Sequence, residues 1–326
     1  MFDGVLQALL QGGLLGGYYA IIAAGLSLMV GVVRFINLAH GDMAVLGAMV
    51  TITLTEVGGV PVLWSIMIML PAMALMGWVM HATLFQRAMR GGFLLPILVT
   101  IGLGAALQNG MFGLWGANTR SLGASIGELS WASWILPGGI ILGKLPVLIF
   151  GTAVVVIGAL HLMLKKTKLG RAIRATASDP EAAEMCGVSS RQAHRAAAAI
   201  AVTLAALAGV FLAMRGQVTP YSGPAQLIFA FEAVVIGGIG SLGGTLIGGM
   251  VLGVSQSLGG LISPQGSLLT GHLVFVSVLI WRLSRDWARD HGGWRASLAI
   301  SAIKLRRRLR GGAPAPDRAP SSKGAA

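Results

Sequence analysis

Polar side chains interrupt two apolar runs in the stretch RFINLAHGDMAVLGA, residues 34–48, where Asn37, His40, Gly41 and Asp42 fall close together. Polar groups are costly inside a bilayer and tend to line a water-filled path through it. Asn, Gly and Asp also form ordinary turns, so a turn and a discontinuous helix beside such a path remain equally open. A zinc site is disfavoured because no third or fourth ligand is near, and a catalytic His–Asp pair lacks a nucleophile.

A glycine-rich motif, Gly-Ile-Gly-Ser-Leu-Gly, occupies residues 238–243. As a dinucleotide fingerprint it would need a soluble βαβ unit and an acidic residue about 20 positions later. No Asp or Glu occurs from 233 to 285, which excludes that interpretation. No glycine loop is followed by the Lys-Ser/Thr of a phosphate-binding loop, so we expect the chain itself to bind neither ATP nor another cofactor.

The same glycines fit helix packing better. Gly240, Gly244 and Gly248 recur every four residues, a spacing that bares one helical face for close approach in lipid. The pair Gly237 and Gly238 can also unwind a helix and form a hinge beside a pathway. Glu232 precedes this cluster, and an acid at membrane depth has a function or a partner unless it lies at the outer surface.

A third polar stretch, SDPEAAEMCG at 178–187, has the signals of a short, well-bounded helix. Ser178 or Asp179 is the predicted N-cap, and Pro180 suits the first helical position. Ser178 and Glu181 have the spacing of a capping box, and acids in the first turns favour the helix dipole. Gly187 ends the helix. So short a helix needs a surface to dock on, either its own membrane domain or a partner.

The composition places these motifs in a membrane protein. The 326 residues are 55% hydrophobic and 11% charged, against roughly 25% charged in soluble domains. Apolar runs lie at 5–33, 36–56, 61–81, 93–116, 144–164, 195–214, 226–262 and 267–283. The run 226–262 is long enough to divide at its glycines. The predicted fold is an all-α, polytopic membrane protein of about eight or nine transmembrane helices with glycine-rich breaks.

Positive charge gives the orientation and a domain division. Of 24 Lys and Arg residues, seven lie in 165–195 and eleven in 282–323, and the loop 81–92 carries His81, Arg87 and Arg90, so these three regions are predicted to be cytoplasmic. The N-terminus and the segments 117–143 and 215–225 are then outside. A membrane domain is predicted over 1–283 and a basic cytoplasmic tail over 284–326, with Trp294, Leu298 and Ile303 facing lipid and a disordered end. Nucleic-acid binding is disfavoured, because no stacking aromatics accompany the charge.

Three segments resemble the branched-chain amino-acid permeases of ATP-binding-cassette importers, of the LivH type. GLSLMVGVVRFINLAHGDMAVLGAMV is similar to their first block, LGRAIRATASDPEAAEMCGV to their cytoplasmic loop, and FEAVVIGGIGSLGGTLIGGMVLG to their late glycine-rich block. The sequence EAAEMCG matches the EAA-x-x-x-G motif of importer permeases. The resemblance covers roughly residues 5–283.

The resemblance implies a multi-pass permease of the bacterial inner membrane that works with a second permease, two ATPase subunits and a periplasmic binding protein. The loop 165–194 would carry the helix that couples to the ATPase. Its residues would be Asp179, Pro180, Glu181, Ala182, Ala183, Glu184 and Gly187. The candidate pathway residues are Asn37, His40, Gly41, Asp42, Glu232, Gly237, Gly238 and Gly240.

Related permeases carry urea, short amides or aromatic acids, so the solute stays open. Two other classes also stay open: a membrane-embedded transferase using His40 and Asp42, and a stand-alone channel or secondary transporter. The few acids at the cytoplasmic face disfavour the transferase.

Overall fold

The computed structural model describes residues 2–92, 94–136 and 139–290. Helices account for most of these residues. In chain order they are α1 (Phe2–Val33), α2 (His40–Glu56), α3 (Val62–Met80), α4 (Gln86–Ala88), α5 (Leu94–Trp115), α6 (Lys144–Lys166), α7 (Lys168–Ser178), α8 (Pro180–Met185), α9 (Ser190–Arg215), α10 (Gly223–Gly237), α11 (Leu242–Gly260) and α12 (Pro264–Asp290). A π-helical turn, His81–Phe85, joins α3 to α4.

Seven segments of the described chain are long and apolar enough to cross a membrane. They are Gly4–Val33, Val62–Gly91, Leu94–Trp115, Lys144–Lys166, Ser190–Arg215, Leu242–Gly260 and Pro264–Arg285. The apolar helix α10, with 15 residues, and the largely buried helix α2, with 17, are shorter. The predicted polytopic helical fold is confirmed. A two-stranded antiparallel hairpin, β1 (Ser133–Leu136) and β2 (Ile140–Gly143), was not predicted and lies in the loop 117–143.

Four long helices pack around α1. Its apolar window is 89% buried, and it contacts α6, α9, α10 and α11. Glycines permit the closest of these approaches, because a Cβ on Gly16 would lie 2.6 Å from the backbone nitrogen of Met250. Farther along the same pair of helices, Gly12 faces Gly253 in the same way. Bare backbone therefore fixes the distance between α1 and α11.

The long run 226–262 divides as predicted, because α10 ends at Gly237 and α11 begins at Leu242. Gly238 and Gly240 adopt φ angles of 100° and 79°, which glycine reaches without strain. Gly240 therefore lies in the turn, and its predicted place on one helical face with Gly244 and Gly248 is wrong. Gly244 and Gly248 do pack closely, since a Cβ on either would collide with Gly237.

Contacts at one end of the bundle join the segments predicted to lie outside. The Gln7 side chain donates to the Ile141 carbonyl at 2.6 Å and accepts from its amide at 3.0 Å. The backbones of Arg120 and Val218 exchange hydrogen bonds of 2.9 and 2.8 Å. The start of α1, the loop 117–143 and the segment after α9 thus share one end.

Contacts at the other end join the segments predicted to be cytoplasmic. Arg34, just after α1, donates to the Ala177 carbonyl at 2.9 Å. Arg195 at the start of α9 donates to Gln86 Oε1 at 3.2 Å. The basic loops 81–92 and 165–195 therefore lie at the same end, as their charge predicts.

The chain divides into two compact units, with the boundary between Val276 and Ser277. Of the second unit the structure describes only residues 277–290, where the Arg285 guanidinium lies 4.9 Å from the centre of the Trp281 ring. The predicted domain boundary at 283 remains a prediction. The amphipathic segment around Trp294, Leu298 and Ile303 lies outside the described residues.

The neighbouring residues Gly12 and Gly13 test the packing of α1. A Cβ on Gly12 would lie 2.6 Å from Val254 Cα, whereas a Cβ on Gly13 would meet nothing within 4 Å. We expect Gly12→Ala to destabilise the purified chain by about 1–3 kcal/mol through overpacking. Gly13→Ala should be neutral or slightly stabilising, because alanine has the higher helix propensity. Thermal unfolding in detergent measures both, and equal melting temperatures would contradict glycine-limited packing.

Candidate functional site

The helical conformation is interrupted between α1 and α2, at residues 34–39, which we call the helix break. Arg34 takes a φ of 58°, unusual for a residue with a side chain. The His40 Nε2 atom then lies 3.0 Å from the Ile22 carbonyl oxygen. Ile22 is eleven residues before the end of α1, or about 17 Å at 1.5 Å per residue. The helix α2 thus begins well inside the depth of α1, which favours the discontinuous helix over a simple surface turn.

Asn37 stabilises this break from within. The residue is 1% exposed, and its Oδ1 atom accepts a hydrogen bond from the Ala39 amide at 3.1 Å. Its carbonyl accepts from the His40 amide at 3.2 Å, and its Nδ2 group donates to Met43 Sδ at 3.5 Å. The side chain therefore provides an acceptor for the Ala39 amide, which lies outside both helices.

His40 and Asp42 are both buried but do not pair. His40 contacts the Ile22 carbonyl through Nε2, and its Nδ1 atom has no hydrogen-bond partner among the described residues. Asp42 Oδ1 instead accepts a hydrogen bond of 2.9 Å from Gln108 Nε2 on α5. The two side chains do not form the dyad that a transferase would use, and the described residues contain no group of three or more metal-binding side chains.

Glycines on α5 and α10 make room for the Asp42 carboxylate, and a glycine on α2 makes room for the start of α10. A Cβ on Gly104 of α5 would lie 2.8 Å from Asp42 Oδ2. A Cβ on Gly223, the first residue of α10, would collide with the carboxylate, and one on Gly41 would collide with the Gly223 carbonyl. Asp42 therefore lies where α2 and α10 both begin, and the positive ends of their dipoles favour its negative charge. We call Asp42, Gln108, Gly41, Gly104 and Gly223 the Asp42 cluster.

Glu232 belongs to a different contact. It is 2% exposed, so it does not lie at an exposed outer surface, and its Oε1 atom pairs with His272 Nδ1 on α12. The Phe229 ring stacks on His272 at an interplanar angle of 9°. Sequence reasoning missed His272, although a single histidine in the apolar run 267–283 signals it. The candidate pathway residues therefore fall into separate groups: the Asp42 cluster with Asn37 and His40, the Glu232–His272 pair, and the Gly237–Gly240 turn.

The cytoplasmic helix α8 has the predicted cap. Asp179 Oδ1 accepts hydrogen bonds from the Glu181 and Ala182 amides at 3.0 and 3.1 Å, and Pro180 is the first helical residue. The predicted Ser178–Glu181 capping box is wrong, because Ser178 ends α7 and its hydroxyl donates to the carbonyl of the preceding turn. Gly187 ends the segment with a φ of 81°, as predicted. The helix is therefore fixed at both ends by its own sequence.

One face of α8 is docked on the chain and the other is free. Ala183 is buried at 5% exposure, and the Ser190 hydroxyl donates to the Pro180 carbonyl at 3.1 Å. Glu181, Ala182 and Glu184 are exposed. Met185 is 89% exposed, more than any other large hydrophobic side chain in the described part of the chain. Sequence reasoning missed Met185, an apolar residue inside a polar stretch.

Arg34 connects the helix break to the base of α8. Its Nη2 group donates to the Ala177 and Ser178 carbonyls, at 2.9 and 3.2 Å. These are the last carbonyls of α7 and directly precede the Asp179 cap, and a cation is favourable at a helix C-terminus. Next to Arg34, the Phe35 ring packs edge-on against Phe85 of the π-helical turn, with centroids 5.1 Å apart. These contacts connect the helix break to the end of α7, directly before α8.

The apolar spans and interrupted helices are those of a polytopic helical membrane protein. The chain belongs to the family described as the permease component of the branched-chain amino acid transport system, whose sequence profile matches residues 8–281. With seven candidate spans among its described residues, it is a multi-pass inner-membrane protein. No solved structure matches the chain.

Three relatives indicate the range of the family. The chain is 30% identical over 273 residues to the high-affinity branched-chain amino acid permease BraD of Pseudomonas aeruginosa, covering 78% of this chain and 86% of BraD. It is 28% identical over 278 residues to LivH of Escherichia coli K12, covering 78% and 85%. It is also 31% identical over 258 residues to the fructose import permease FrcC of Rhizobium meliloti, covering 75% and 69%.

The contact between Arg34 and α7 gives a prediction. Arg34→Ala removes both hydrogen bonds to the α7 carbonyls, so hydrogen–deuterium exchange should accelerate across 175–188. Arg87→Ala is the matched control, because Arg87 is an exposed cation at the same end of the bundle. Mass spectrometry of the intact chain in detergent measures the exchange. Equal exchange in the wild type and Arg34→Ala would mean that Arg34 does not stabilise this segment.

Proposed function

We propose that this chain is the membrane-spanning permease subunit of an ATP-binding-cassette importer for branched-chain or related amino acids. The observation that carries the proposal is α8, a capped helix seated on the chain through Ala183 with its other face exposed. Its partners would be two ATPase subunits, a second permease and a periplasmic binding protein. The partners would bind ATP, so this chain needs no cofactor of its own.

The proposed coupling follows from the rigidity of α8. Its exposed face, with Glu181, Glu184 and Met185, would enter a groove on the ATPase subunit. Movement of the ATPase would displace α8. The bond at Pro180 would carry the displacement to the start of α9, and the bonds at the end of α7 would carry it to Arg34. The break after α1 would then shift the start of α2. These hydrogen bonds are needed, because a helix of six residues has little stability without contacts to the rest of the chain.

The proposed pathway passes the Asp42 cluster. The outer face of α5 leaves Gly102, Asn109 and Gly113 exposed, so the second permease would cover this face and enclose the path between the two chains. The buried Asp42 carboxylate suits a solute with an ammonium group, since opposite charges attract strongly away from water. Glu232 and the turn Gly237–Gly240 would act by holding α10 against α12 and α11.

The solute itself has a specific alternative. The relative FrcC is named for fructose, so a neutral polar solute is the second candidate, beside the urea, amides and aromatic acids left open by the sequence. Proteoliposomes with the partner subunits and binding protein discriminate these, using radiolabelled leucine and fructose. The proposal expects ATP-dependent leucine uptake. Fructose uptake alone would overturn the solute assignment, and uptake without the ATPase would overturn the importer class.

Met185 tests the exposed face of α8. Because Met185 makes almost no contact within the chain, Met185→Asp should leave the melting temperature unchanged. It should lower ATP-driven uptake at least about tenfold, the effect of losing about 1.4 kcal/mol at the ATPase contact. Met185→Leu keeps an apolar side chain of similar size and should retain most of the uptake. Normal uptake by Met185→Asp would show that this face has no partner.

Asp179 tests the need for a capped helix. Asp179→Ala removes the acceptor for two amides and should destabilise α8 locally by about 1 kcal/mol. Asp179→Asn retains a good N-cap and serves as the matched control. We expect the alanine variant to hydrolyse ATP with reduced uptake and the asparagine variant to resemble the wild type. Equal uptake by the two variants would disconnect the cap from coupling.

The Asp42 cluster is tested by two glycines of α5. A methyl group at Gly104 would press on the Asp42 carboxylate, whereas one at Gly102 would meet nothing within 4 Å. Gly104→Ala should therefore reduce uptake several-fold by displacing Asp42. Uptake per folded transporter in proteoliposomes measures the effect, with size-exclusion profiles to check folding. If Gly102→Ala reduces uptake equally, the loss comes from the α5 surface and not from Asp42.

A further inference from the structure

A cavity of about 450 Å³ opens at the coupling end of the bundle, between α1, α6, α7 and the turn before α11. Its lining includes Ser27, His161, Lys165, Arg174, Ser241 and Gly243. The turn residue Gly240, a candidate pathway residue, also lines the cavity, but no residue of the Asp42 cluster or of the exposed face of α8 does.

The electrostatic character of the cavity is positive. Lys165 and Arg174 line it together with His161, and none of the lining residues is acidic. Among the described residues, none of these three side chains forms an ion pair or a hydrogen bond, although the Arg174 carbonyl accepts a hydrogen bond from the Ser178 hydroxyl. All three side chains are exposed, and two cations that line one space attract an anion.

The N-terminus of α11 adds backbone donors to the same wall. Ser241 caps this helix, since its hydroxyl accepts from the Gly244 amide at 3.1 Å and its carbonyl from the Thr245 amide at 2.9 Å. The amides of Leu242 and Gly243, both on the cavity wall, precede the first intrahelical bonds. Orphan amides at the positive end of a 19-residue helix are a favourable environment for a phosphate or carboxylate.

A buried hydroxyl points to a ligand independently. Ser27 on α1 is 0% exposed, and its Oγ atom has no hydrogen-bond partner among the described residues. Buried polar atoms are nearly always paired, so an unpaired hydroxyl on a cavity wall indicates a missing partner. An oxygen atom of a bound anion would supply it once the side chains that cover the hydroxyl move aside.

We propose that this cavity binds a phosphate group, supplied either by the headgroup of an anionic phospholipid or by a free phosphate ion. Two cations, helix amides and a hydroxyl are the donors that phosphate oxygens require. The position fits a headgroup, because Lys165 lies in the last turn of the apolar span Lys144–Lys166. Basic pockets between membrane helices bind such headgroups. The glycine motif at 238–243 thus contributes an anion site built on a helix pair, without the strand of a dinucleotide fold.

Native mass spectrometry of the full chain tests the proposal. The protein is titrated in neutral detergent with phosphatidylglycerol or with phosphatidylcholine. The cavity double variant, Lys165→Gln with Arg174→Gln, should bind phosphatidylglycerol at least about tenfold more weakly than the wild type. The matched control, Lys166→Gln with Lys168→Gln, removes the same charge from neighbouring exposed positions outside the cavity and should bind normally.

A second variant separates the cavity from charge alone. Gly243→Leu keeps both cations, and a Cβ at this position meets nothing within 4 Å, so the chain should fold while the side chain fills the cavity. This variant should also bind phosphatidylglycerol more weakly than the wild type. The lipid assignment is overturned if the wild type and both cavity variants bind phosphatidylglycerol equally. It is also overturned if the control double variant loses as much binding as the cavity double variant. The site then stands only if free phosphate binds to it.

The free-phosphate arm uses the melting temperature in sodium phosphate and in sodium chloride of equal ionic strength. A soluble anion is identified as the source if phosphate stabilises the wild type but not the cavity variants, and if phosphate also displaces bound phosphatidylglycerol from the wild type. Phosphatidylglycerol binding that resists free phosphate identifies the lipid. Absence of both effects overturns the proposal.

Discussion

Two hydrogen bonds from Arg34 to the final carbonyls of α7 join the parts of the molecule on which its proposed mechanism depends. On one side of Arg34 lies the break that sets the start of α2. On the other side lies Asp179, the cap of α8. The left-handed backbone of Arg34 is costly for a residue with a side chain, and the anchored guanidinium helps to hold it.

Glycine packing makes this connection mechanically useful. Along α1 and α11, and again between α10 and α11, backbone meets backbone with no side chain between. Such close contacts resist deformation, so displacement is expected to concentrate where the helical hydrogen bonds are interrupted. Two such interruptions are the break at 34–39 and the turn at 238–241. The Asp42 cluster adjoins the first, and the basic cavity adjoins the second.

Much of this architecture was predictable because its signals are local. Hydropathy located the spans, the glycines located the division between α10 and α11, and Asp179 with Pro180 located the start of α8. The partners of buried polar groups were not predictable, because they come from distant parts of the chain. Gln108 for Asp42 and His272 for Glu232 are such cases. Ser178 failed as a cap because α7 continues through it, a boundary that spacing alone does not reveal.

The most direct test of the account is the number of ATP molecules hydrolysed per solute imported by Arg34→Ala. The measurement uses the complete transporter in proteoliposomes, with Arg34→Lys as the variant that retains the charge. Displacement of α8 should no longer reach the break in Arg34→Ala. The account therefore predicts that hydrolysis persists while uptake falls, so the ratio rises several-fold, with Arg34→Lys intermediate. A ratio equal to that of the wild type would contradict the claim that coupling passes through Arg34.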